Sequence, residues 1–172
     1  MAAGKESGKN RFVAIDANSL VHRAFHAFPS TLVTSDGVQV NAVFGFTSML
    51  LRVLETLDPK YLVCAFDMKE PTFRHTEFVD YKATRKPTDH TLTEQFPLVK
   101  EVVEAFNIPI LEKKGFEADD ILGTIAHFVD EGKWSDNGLE LVIVTGDKDL
   151  LQVVTENVSV WLPKGSFKDM RM

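Results

Sequence analysis

Short apolar runs alternate with longer segments of helical period along almost the whole chain. Because parallel strands need crossover connections, usually helices, this alternation predicts an α/β fold with a mostly parallel central sheet flanked by helices. The predicted strands are apolar throughout, as expected where helices cover both faces of a sheet. The strands are residues 12–15, 61–66, 108–111, 139–144 and 158–162. The helices are residues 19–27, 43–57, 91–106, 118–131 and 148–154.

The length of the chain, 172 residues and 19.3 kDa, is that of one ordinary domain. We expect residues 1–10, rich in Gly, Ser and Lys, to form a disordered tail and residues 11–172 to form the domain. Two polar stretches, residues 29–41 and 69–89, interrupt the alternation. They are predicted to be surface loops or short irregular helices that carry function.

Neither a membrane span nor a secretory leader is predicted. The apolar stretches at 62–66 and 141–144 are far shorter than the roughly 20 residues that cross a bilayer. The run at 12–15 is also too short for the hydrophobic part of a signal peptide, so we expect a cytoplasmic protein. Cys64 is the single cysteine, which excludes an internal disulfide and a thiolate zinc site. We expect a monomer.

Acidic residues follow the predicted strands at the ends where open α/β sheets bind their ligands. Asp16, Asp67 and Asp147 each come at or just after the end of a strand, and Asp149 lies two residues further on. Another acidic group opens the helix at 118–131, where residues three apart can share a face. The seven candidate metal ligands are Asp16, Asp67, Glu117, Asp119, Asp120, Asp147 and Asp149.

Such a set of carboxylates predicts a site for hard cations. Carboxylates crowded at one sheet edge repel one another, so without a cation some of them are protonated or splayed apart. Oxygen ligands without cysteine or suitably spaced histidine favour Mg²⁺ or Mn²⁺ over zinc. One Mg²⁺ usually needs only one or two carboxylates, so seven fit two ions about 3.5–4 Å apart, the arrangement used to hydrolyse phosphodiesters. Any one of these acids alone also fits a helix cap or turn.

Cations and aromatic rings are concentrated in the second polar stretch. Lysine and arginine bind phosphates and tyrosine stacks on bases, which is the usual combination for single-stranded or frayed nucleic acid. A solvated loop with ordinary surface lysines explains the same spacing. The candidates are Arg74, Tyr81, Lys82, Arg85 and Lys86.

Arg23, in the helix after Asp16, is the other basic residue predicted to face the acids. His22 and His26 lie in the same helix, but no further histidine or cysteine ligand accompanies them, so we interpret them as packing or substrate-facing groups. The net charge of −6 argues at first against nucleic acid. Setting the seven candidate ligands aside leaves 18 acidic residues against 19 basic ones. Whether the chain binds nucleic acid therefore depends on its local basic segments.

Five segments of the sequence resemble the 5′-nuclease domain found at the N-terminus of bacterial DNA polymerase I, a relative of the flap endonucleases and PIN-like nucleases. The match runs over about residues 12–162, and the segments read FVAIDANSLVHRAFHAF, YLVCAFD, TFRHTEFVDYKATRKP, GFEADDILGTIA and VIVTGDKDLLQVV. The pairing of EADD with TGDKD is highly specific. The resemblance implies a PIN-like core, two divalent metal ions, and hydrolysis of DNA near a 5′ end or at the base of a 5′ flap, in primer removal and repair within a bacterial, nucleoid-associated polymerase chain.

The resemblance also implies residue roles. The seven acids match the family's metal-binding acids. Lys82, Arg85 and Arg23 are implied to act on the scissile phosphate, and Tyr81 is implied to stack on the substrate end. Arg74 and Lys86 belong to the same basic region and are expected to bind substrate, and residues 71–95 correspond to the clamp through which a 5′ strand passes.

The sequence lacks the helix-hairpin-helix region and the polymerase regions that follow in the family, so we expect weakened cleavage. Two alternatives stay open: a PIN-type ribonuclease, and a metal-dependent DNA-binding module without catalysis. An aspartyl-phosphate phosphatase is less consistent with the sequence, because the residue two positions after Asp16 is Asn18 rather than a second aspartate.

Overall fold

The computed structural model describes residues 10–68, 70–78, 88–134 and 138–163. Within these ranges the chain alternates strands and helices, as the sequence predicts. The strands are β1 (Asn10–Asp16), β2 (Tyr61–Ala65), β3 (Ile110–Leu111), β4 (Leu139–Val144) and β5 (Val158–Trp161). The α-helices are α1 (Ala17–Ala27), α2 (Asn41–Leu57), α3 (Phe73–Glu77), α4 (His90–Ala105) and α5 (Ala118–Asp130), and Asp149–Val153 forms a 3₁₀ helix.

The five described strands form one sheet in the order β3-β2-β1-β4-β5, and every neighbouring pair is parallel. The prediction of an α/β fold with a parallel sheet is confirmed. After β1 the chain builds outward through β2 and β3, then crosses back so that β4 pairs with the other side of β1. The direction of strand order therefore reverses between β1 and β4, where open α/β sheets bind their ligands.

Helices cover both faces of the sheet, which explains why its strands are apolar on both sides. Val13 and Ile15 point into a core formed with α1, α2 and α4. Phe12 and Ala14, one residue out of step on the same strand, point into a second core formed with α5. Successive side chains of a strand face opposite sides, so each helix layer anchors one half of β1 and fixes the level at which Asp16 ends it.

Several boundaries differ from those predicted. β3 begins at Ile110 rather than at residue 108, because it is an edge strand preceded by Pro109, which has no N–H to donate. The helix predicted at 148–154 is a 3₁₀ helix, a form common in such short segments. Asn10, assigned to the tail by composition, is the first residue of β1, whereas residues 1–9 lie outside the described residues.

The two polar stretches show irregular structure where the chain is described. Residues 29–40 form a loop closed by an isolated bridge between Val33 and Gln39, and the second stretch contains the short helix α3. Cys64 is buried in the core, and burial raises the pKa of its thiol to about 12. None of the described helices is both long and apolar enough to span a bilayer.

Candidate metal centre and nucleic-acid site

Three neighbouring strands deliver acidic side chains to one cavity at the carboxyl edge of the sheet. Asp16 ends β1, Asp67 follows β2, and Asp147 follows β4. Glu117 and Asp119, at the start of α5, complete the acidic wall of the same cavity, which has a volume of about 420 Å³. Five of the seven predicted ligands therefore meet in one place.

Asp16 is the most deeply buried of these acids, with 3% of its surface exposed. Its Oδ1 accepts a hydrogen bond from Ser19 N at 3.1 Å and so caps α1. Its Oδ2 accepts a hydrogen bond from Thr145 Oγ1 at 2.6 Å. Burial raises the pKa of Asp16 to about 6, against the effect of these two hydrogen bonds and with a smaller contribution from the charges of Asp67 and Asp147. The carboxylate is thus costly to ionise without a compensating cation.

Asp67 connects β2, α1 and α5 beside the acidic cavity. Its backbone N–H donates to Asn18 Oδ1 at 3.0 Å, which ties the end of β2 to the start of α1. Its Oδ1 accepts a hydrogen bond from Ala118 N at 2.7 Å, which ties it to the first turn of α5. One carboxylate oxygen of Asp67 therefore has a structural role, and the fold holds this side chain against the helix that carries Asp119.

Asp119 experiences the acidic cluster most strongly. Burial and, after it, the charges of the neighbouring carboxylates together raise its pKa to about 7. The contributing carboxylates are Asp16, Asp147, Asp67 and Glu117. Half of the Asp119 carboxyls would be protonated near neutral pH in the absence of a cation.

The last two predicted ligands lie beside this cavity. Asp120 and Asp149 line an adjoining cavity of about 480 Å³, which shares Glu117 and Asp119 with the first. The Asp120 carboxylate is bound in a forked ion pair to Arg74. The N–H of Asp149 donates to Asp147 Oδ1 at 2.9 Å, so the loop after β4 holds these two acids together.

Several cavity residues carried no clear signal in the sequence. Asn18, Ser19 and Gly146 line the cavity, and Ser19 Oγ accepts a hydrogen bond from Gly146 N at 2.8 Å. Thr145 is fully buried and supplies the hydrogen bond to Asp16. Their proximity to strand ends was the available clue, because loops at the carboxyl edge of a parallel sheet face its ligand site.

The basic residues near the acids are described only in part. His22 lines the acidic cavity, and its ring lies against that of Phe96, with centroids 6.0 Å apart. His26 is exposed. Arg23 approaches the loop after β4, since its Cδ lies 3.9 Å from the position that a Cβ on Gly146 would take. Tyr81, Lys82, Arg85 and Lys86 lie outside the described residues.

The donor set of the cavity fits hard divalent cations. All of its acidic side chains offer carboxylate oxygens, which suit Mg²⁺ or Mn²⁺. The mutual repulsion of these carboxylates is the cost that a cation removes. Among the described residues, no three acidic, histidine or cysteine side chains are already drawn together around one point. An ion held by one or two carboxylates, with water completing its shell, fits this spacing, which is the coordination that Mg²⁺ commonly adopts.

The chain has sequence relatives among known proteins. The chain matches the family model of the 5′-3′ exonuclease N-terminal resolvase-like domain over residues 11–172. It is 41% identical over 157 residues to DNA polymerase I of Caldicellulosiruptor bescii, covering 91% of this chain and 18% of that protein. It is 36% identical over 170 residues to DNA polymerase I of Mycobacterium tuberculosis, covering 98% and 18%. The chain thus spans about a fifth of the length of these relatives.

Solved structures share the fold at lower identity. The T5 5′-exonuclease with zinc bound superposes with a TM-score of 0.61 at 17% identity, covering 88% of this chain and 55% of that one. The bacteriophage T5 flap endonuclease, in a pseudo-enzyme-product complex with DNA and metal ions, gives 0.61 at 17%, covering 88% and 54%. The catalytic core of Rad2 in complex with DNA substrate gives 0.51 at 17%, covering 90% and 43%.

Proposed function

Since this chain belongs to the 5′-3′ exonuclease N-terminal domain family, we propose that it hydrolyses DNA phosphodiester bonds near a 5′ end or at the base of a 5′ flap. The observation that carries the proposal is the convergence of Asp16, Asp67, Glu117, Asp119 and Asp147 on one cavity. Solved structures of the same fold contain divalent metal ions and DNA, which supports a metal-dependent nuclease.

Two divalent cations, Mg²⁺ or Mn²⁺, are proposed to be held by ligands drawn from the seven acids. When bound, such a pair of ions activates water and offsets charge on the attacked phosphate and on the leaving oxygen. The cavity acids on β1, β2, β4 and α5 supply oxygen ligands from elements fixed by the sheet, and Asp149 supplies one from the adjoining cavity. Because Asp67 already accepts a hydrogen bond from Ala118 N, its second oxygen is the one left to face a cation.

The DNA is proposed to be brought to this cavity by the basic residues. Lys82 and Arg85 steer the scissile phosphate and Tyr81 stacks on the terminal base, as the family resemblance implies. Lys86, in the same basic segment, binds a neighbouring phosphate. Arg23 approaches the same cavity from α1, beside Gly146. Positive charge on this side offsets the repulsion between DNA and the acidic wall, which otherwise opposes binding.

The wider setting is proposed from the relatives. Because they are DNA polymerases I of which this chain matches 18%, we place the domain in primer removal and repair, as a monomeric unit of a larger bacterial polymerase at the nucleoid. Residues 11–172 form its N-terminal nuclease unit in this proposal.

The proposal is tested by cleavage of labelled substrates in Mg²⁺ and in Mn²⁺. We expect the chain to cut a 5′-flapped DNA faster than single-stranded RNA of the same length, and we expect Asp119→Asn to lose this activity while remaining folded. The matched control is Glu104→Gln, an exposed acid near the end of α4 on the opposite edge of the sheet. Preferential RNA cleavage would indicate a PIN-type ribonuclease, and metal-dependent DNA binding without turnover would indicate a non-catalytic module.

A further inference from the structure

Arg74 and Asp120 form a forked ion pair beside the acidic cavity. Arg74 Nη1 lies 2.8 Å from Asp120 Oδ2, and Nη2 lies 2.5 Å from Oδ1. Their side chains are only 29% and 20% exposed. Two parallel charge-assisted hydrogen bonds fix the relative orientation of the groups that they join, which a single contact to a lysine does not do.

Asp120 has a further structural bond within α5. Its Oδ2 accepts a hydrogen bond from Glu117 N at 2.9 Å, which satisfies one of the unpaired N–H groups at the start of the helix. Arg74 Nη1 is also 3.8 Å from Glu117 Oε2. Both carboxylate oxygens of Asp120 are therefore engaged by protein donors. Those of Asp16 are as well, but the charge of Asp120 is also neutralised by Arg74. Asp119, its neighbour, lines the 420 Å³ cavity, whereas the described lining of that cavity does not include Asp120.

Independent contacts seat α3 on the loop before α5. Phe73 N donates to Gly115 O at 3.1 Å. The rings of Phe73 and Phe116 pack with centroids 5.7 Å apart, and the Arg74 guanidinium lies 4.7 Å from the centre of the Phe73 ring. Arg74 is thus held from two sides, by an aromatic face and by Asp120, in an orientation that suits the ion pair.

We propose that Arg74 and Asp120 are a positioning pair: together they fasten α3 to the start of α5 and hold Glu117 and Asp119 at the cavity. Asp120 is then not a metal ligand, and Arg74 is not a substrate contact, which differs from the roles predicted for them from the sequence. The inference rests on the proposed nuclease function, because the residues that it positions are the proposed metal ligands.

The proposed role of the pair has a specific consequence for the metal affinity of variants. Asp120→Asn alone leaves the positive charge of Arg74 uncompensated beside the cavity, so it weakens cation binding through charge alone. The double variant Arg74→Gln/Asp120→Asn removes one charge of each sign and restores the balance. We expect the double variant to lose only about threefold in Mn²⁺ affinity, because Glu117 and Asp119 are held less firmly, whereas Asp119→Asn loses about tenfold or more, since affinity follows ligand charge count.

The experiment measures free Mn²⁺ by electron paramagnetic resonance on the full chain, without DNA. It compares wild type, Asp119→Asn, Asp120→Asn, Arg74→Gln and the double variant. If the double variant loses as much affinity as Asp119→Asn, Asp120 is a ligand and the proposal is overturned. Recovery of affinity in the double variant relative to Asp120→Asn supports the pair.

Steady-state cleavage of a 5′-flapped DNA separates positioning from substrate contact. A positioning role lowers kcat to a similar extent in Arg74→Gln and in the double variant, and it leaves KM for DNA and the salt dependence unchanged. A raised KM with a flatter salt dependence in both variants assigns Arg74 to the substrate and overturns the proposal.

Unfolding in EDTA provides a readout that does not depend on activity. If the two side chains are a pair, the losses in midpoint denaturant concentration for Arg74→Gln and Asp120→Asn are not additive in the double variant. Additive losses would show that the two side chains do not interact and would overturn the proposal, even if the variants cleave DNA. If the wild-type chain neither cleaves nucleic acid nor binds Mn²⁺ through Asp119, the proposed function fails. The double-mutant cycle of unfolding midpoints still decides whether Arg74 and Asp120 interact.

Discussion

Thr145 Oγ1 lies 2.6 Å from Asp16 Oδ2, in a hydrogen bond that joins the carboxyl ends of β4 and β1 across 129 residues of sequence. The same hydroxyl oxygen accepts a hydrogen bond from Asp147 N at 2.9 Å. Thr145 therefore fixes the spacing of two acids on neighbouring strands. Acids held in place this way repel one another in the metal-free chain, and this repulsion has measurable consequences.

The stability of the metal-free chain should fall as pH rises from about 5 to 7.5. Asp16 and Asp119 have pKa values of about 6 and about 7 in the folded chain against 3.8 as the ordinary value. Between the ordinary and the raised pKa the folded state holds protons that the unfolded state has released, so stability is full below the ordinary pKa and is lost as pH rises through the folded pKa.

Asp16→Asn should remove part of this pH dependence, and Asp119, whose pKa is raised further, should keep the rest. Only the part of the shift between pH 5 and the folded pKa of about 6 lies in this window, so the variant should reduce the loss of stability by about 1.4 kcal/mol. Asparagine keeps an oxygen for the bond from Ser19 N. Urea unfolding in EDTA at both pH values measures the effect, with Glu104→Gln as the control. If the stabilities of wild type and Asp16→Asn depended equally on pH, the raised pKa of this carboxyl would be contradicted.

Divalent cations should stabilise the wild-type chain at pH 7.5. At a Mg²⁺ concentration ten times the dissociation constant, binding contributes about 1.4 kcal/mol, or about 4 °C in the midpoint of thermal unfolding for a domain of this size. Asp119→Asn should show a much smaller shift from a higher metal-free midpoint, because relieved repulsion stabilises it already. A shift as large as that of wild type would remove Asp119 from the metal site.

The central sheet was predictable because its pattern is local. Each strand is a short apolar run, and the acids that end β1, β2 and β4 follow directly from the chain order once the sheet is parallel. Which strands are neighbours was not available from the pattern, although the spacing of Asp16, Asp67 and Asp147 depends on it. The order β3-β2-β1-β4-β5 brings them together.

Features set by distant residues were not predictable. α2 begins at Asn41, two residues before the predicted start, because the side chain of Gln95, more than 50 positions away, accepts hydrogen bonds from Ala42 N and Val43 N. The pairing of Arg74 with Asp120 across 46 positions is of the same kind. Asp120 was identified from its place at the start of a helix and Arg74 from its basic segment, but the sequence offered no information that the two are partners.

Gly146→Ala should destabilise the loop after β4, which lines the acidic cavity. A Cβ at this position would lie 2.7 Å from Ser19 Oγ, closer than packed atoms tolerate, and the loop carrying Asp147 would have to shift. We expect a loss of about 1–3 kcal/mol in the free energy of unfolding together with slower cleavage. If the Oγ atom is the cause, Ser19→Ala/Gly146→Ala should be more stable than Gly146→Ala alone; a double variant that is less stable would point to another source of strain.

Gln95→Leu should destabilise the fold without touching the site. Gln95 is 1% exposed; besides accepting from the start of α2, its Nε2 donates to Asn41 Oδ1 at 3.0 Å and to Thr91 O at 3.2 Å. Leucine leaves these buried groups without their partner, at a cost of about 2–4 kcal/mol in urea unfolding. Glu94→Gln, on the exposed side of the same helix, should change stability by less than about 0.5 kcal/mol. Equal effects would mean that the Gln95 network contributes little.

Lys82→Ala and Arg85→Ala should weaken the salt dependence of DNA binding as well as the rate of cleavage. A residue that contacts a phosphate releases a counterion on binding, so its loss reduces the slope of log affinity against log salt by about 0.7 for single-stranded and about 0.9 for duplex DNA. Lys60→Ala is the matched control, because Lys60 precedes β2 at the amino edge of the sheet, away from the acidic cavity. The slope should therefore be unchanged in Lys60→Ala and reduced by nearly one unit in each of the other two variants. If slower cleavage in Lys82→Ala came with an unchanged slope, Lys82 would act on the reacting phosphate group without contributing to the charge that binds the strand.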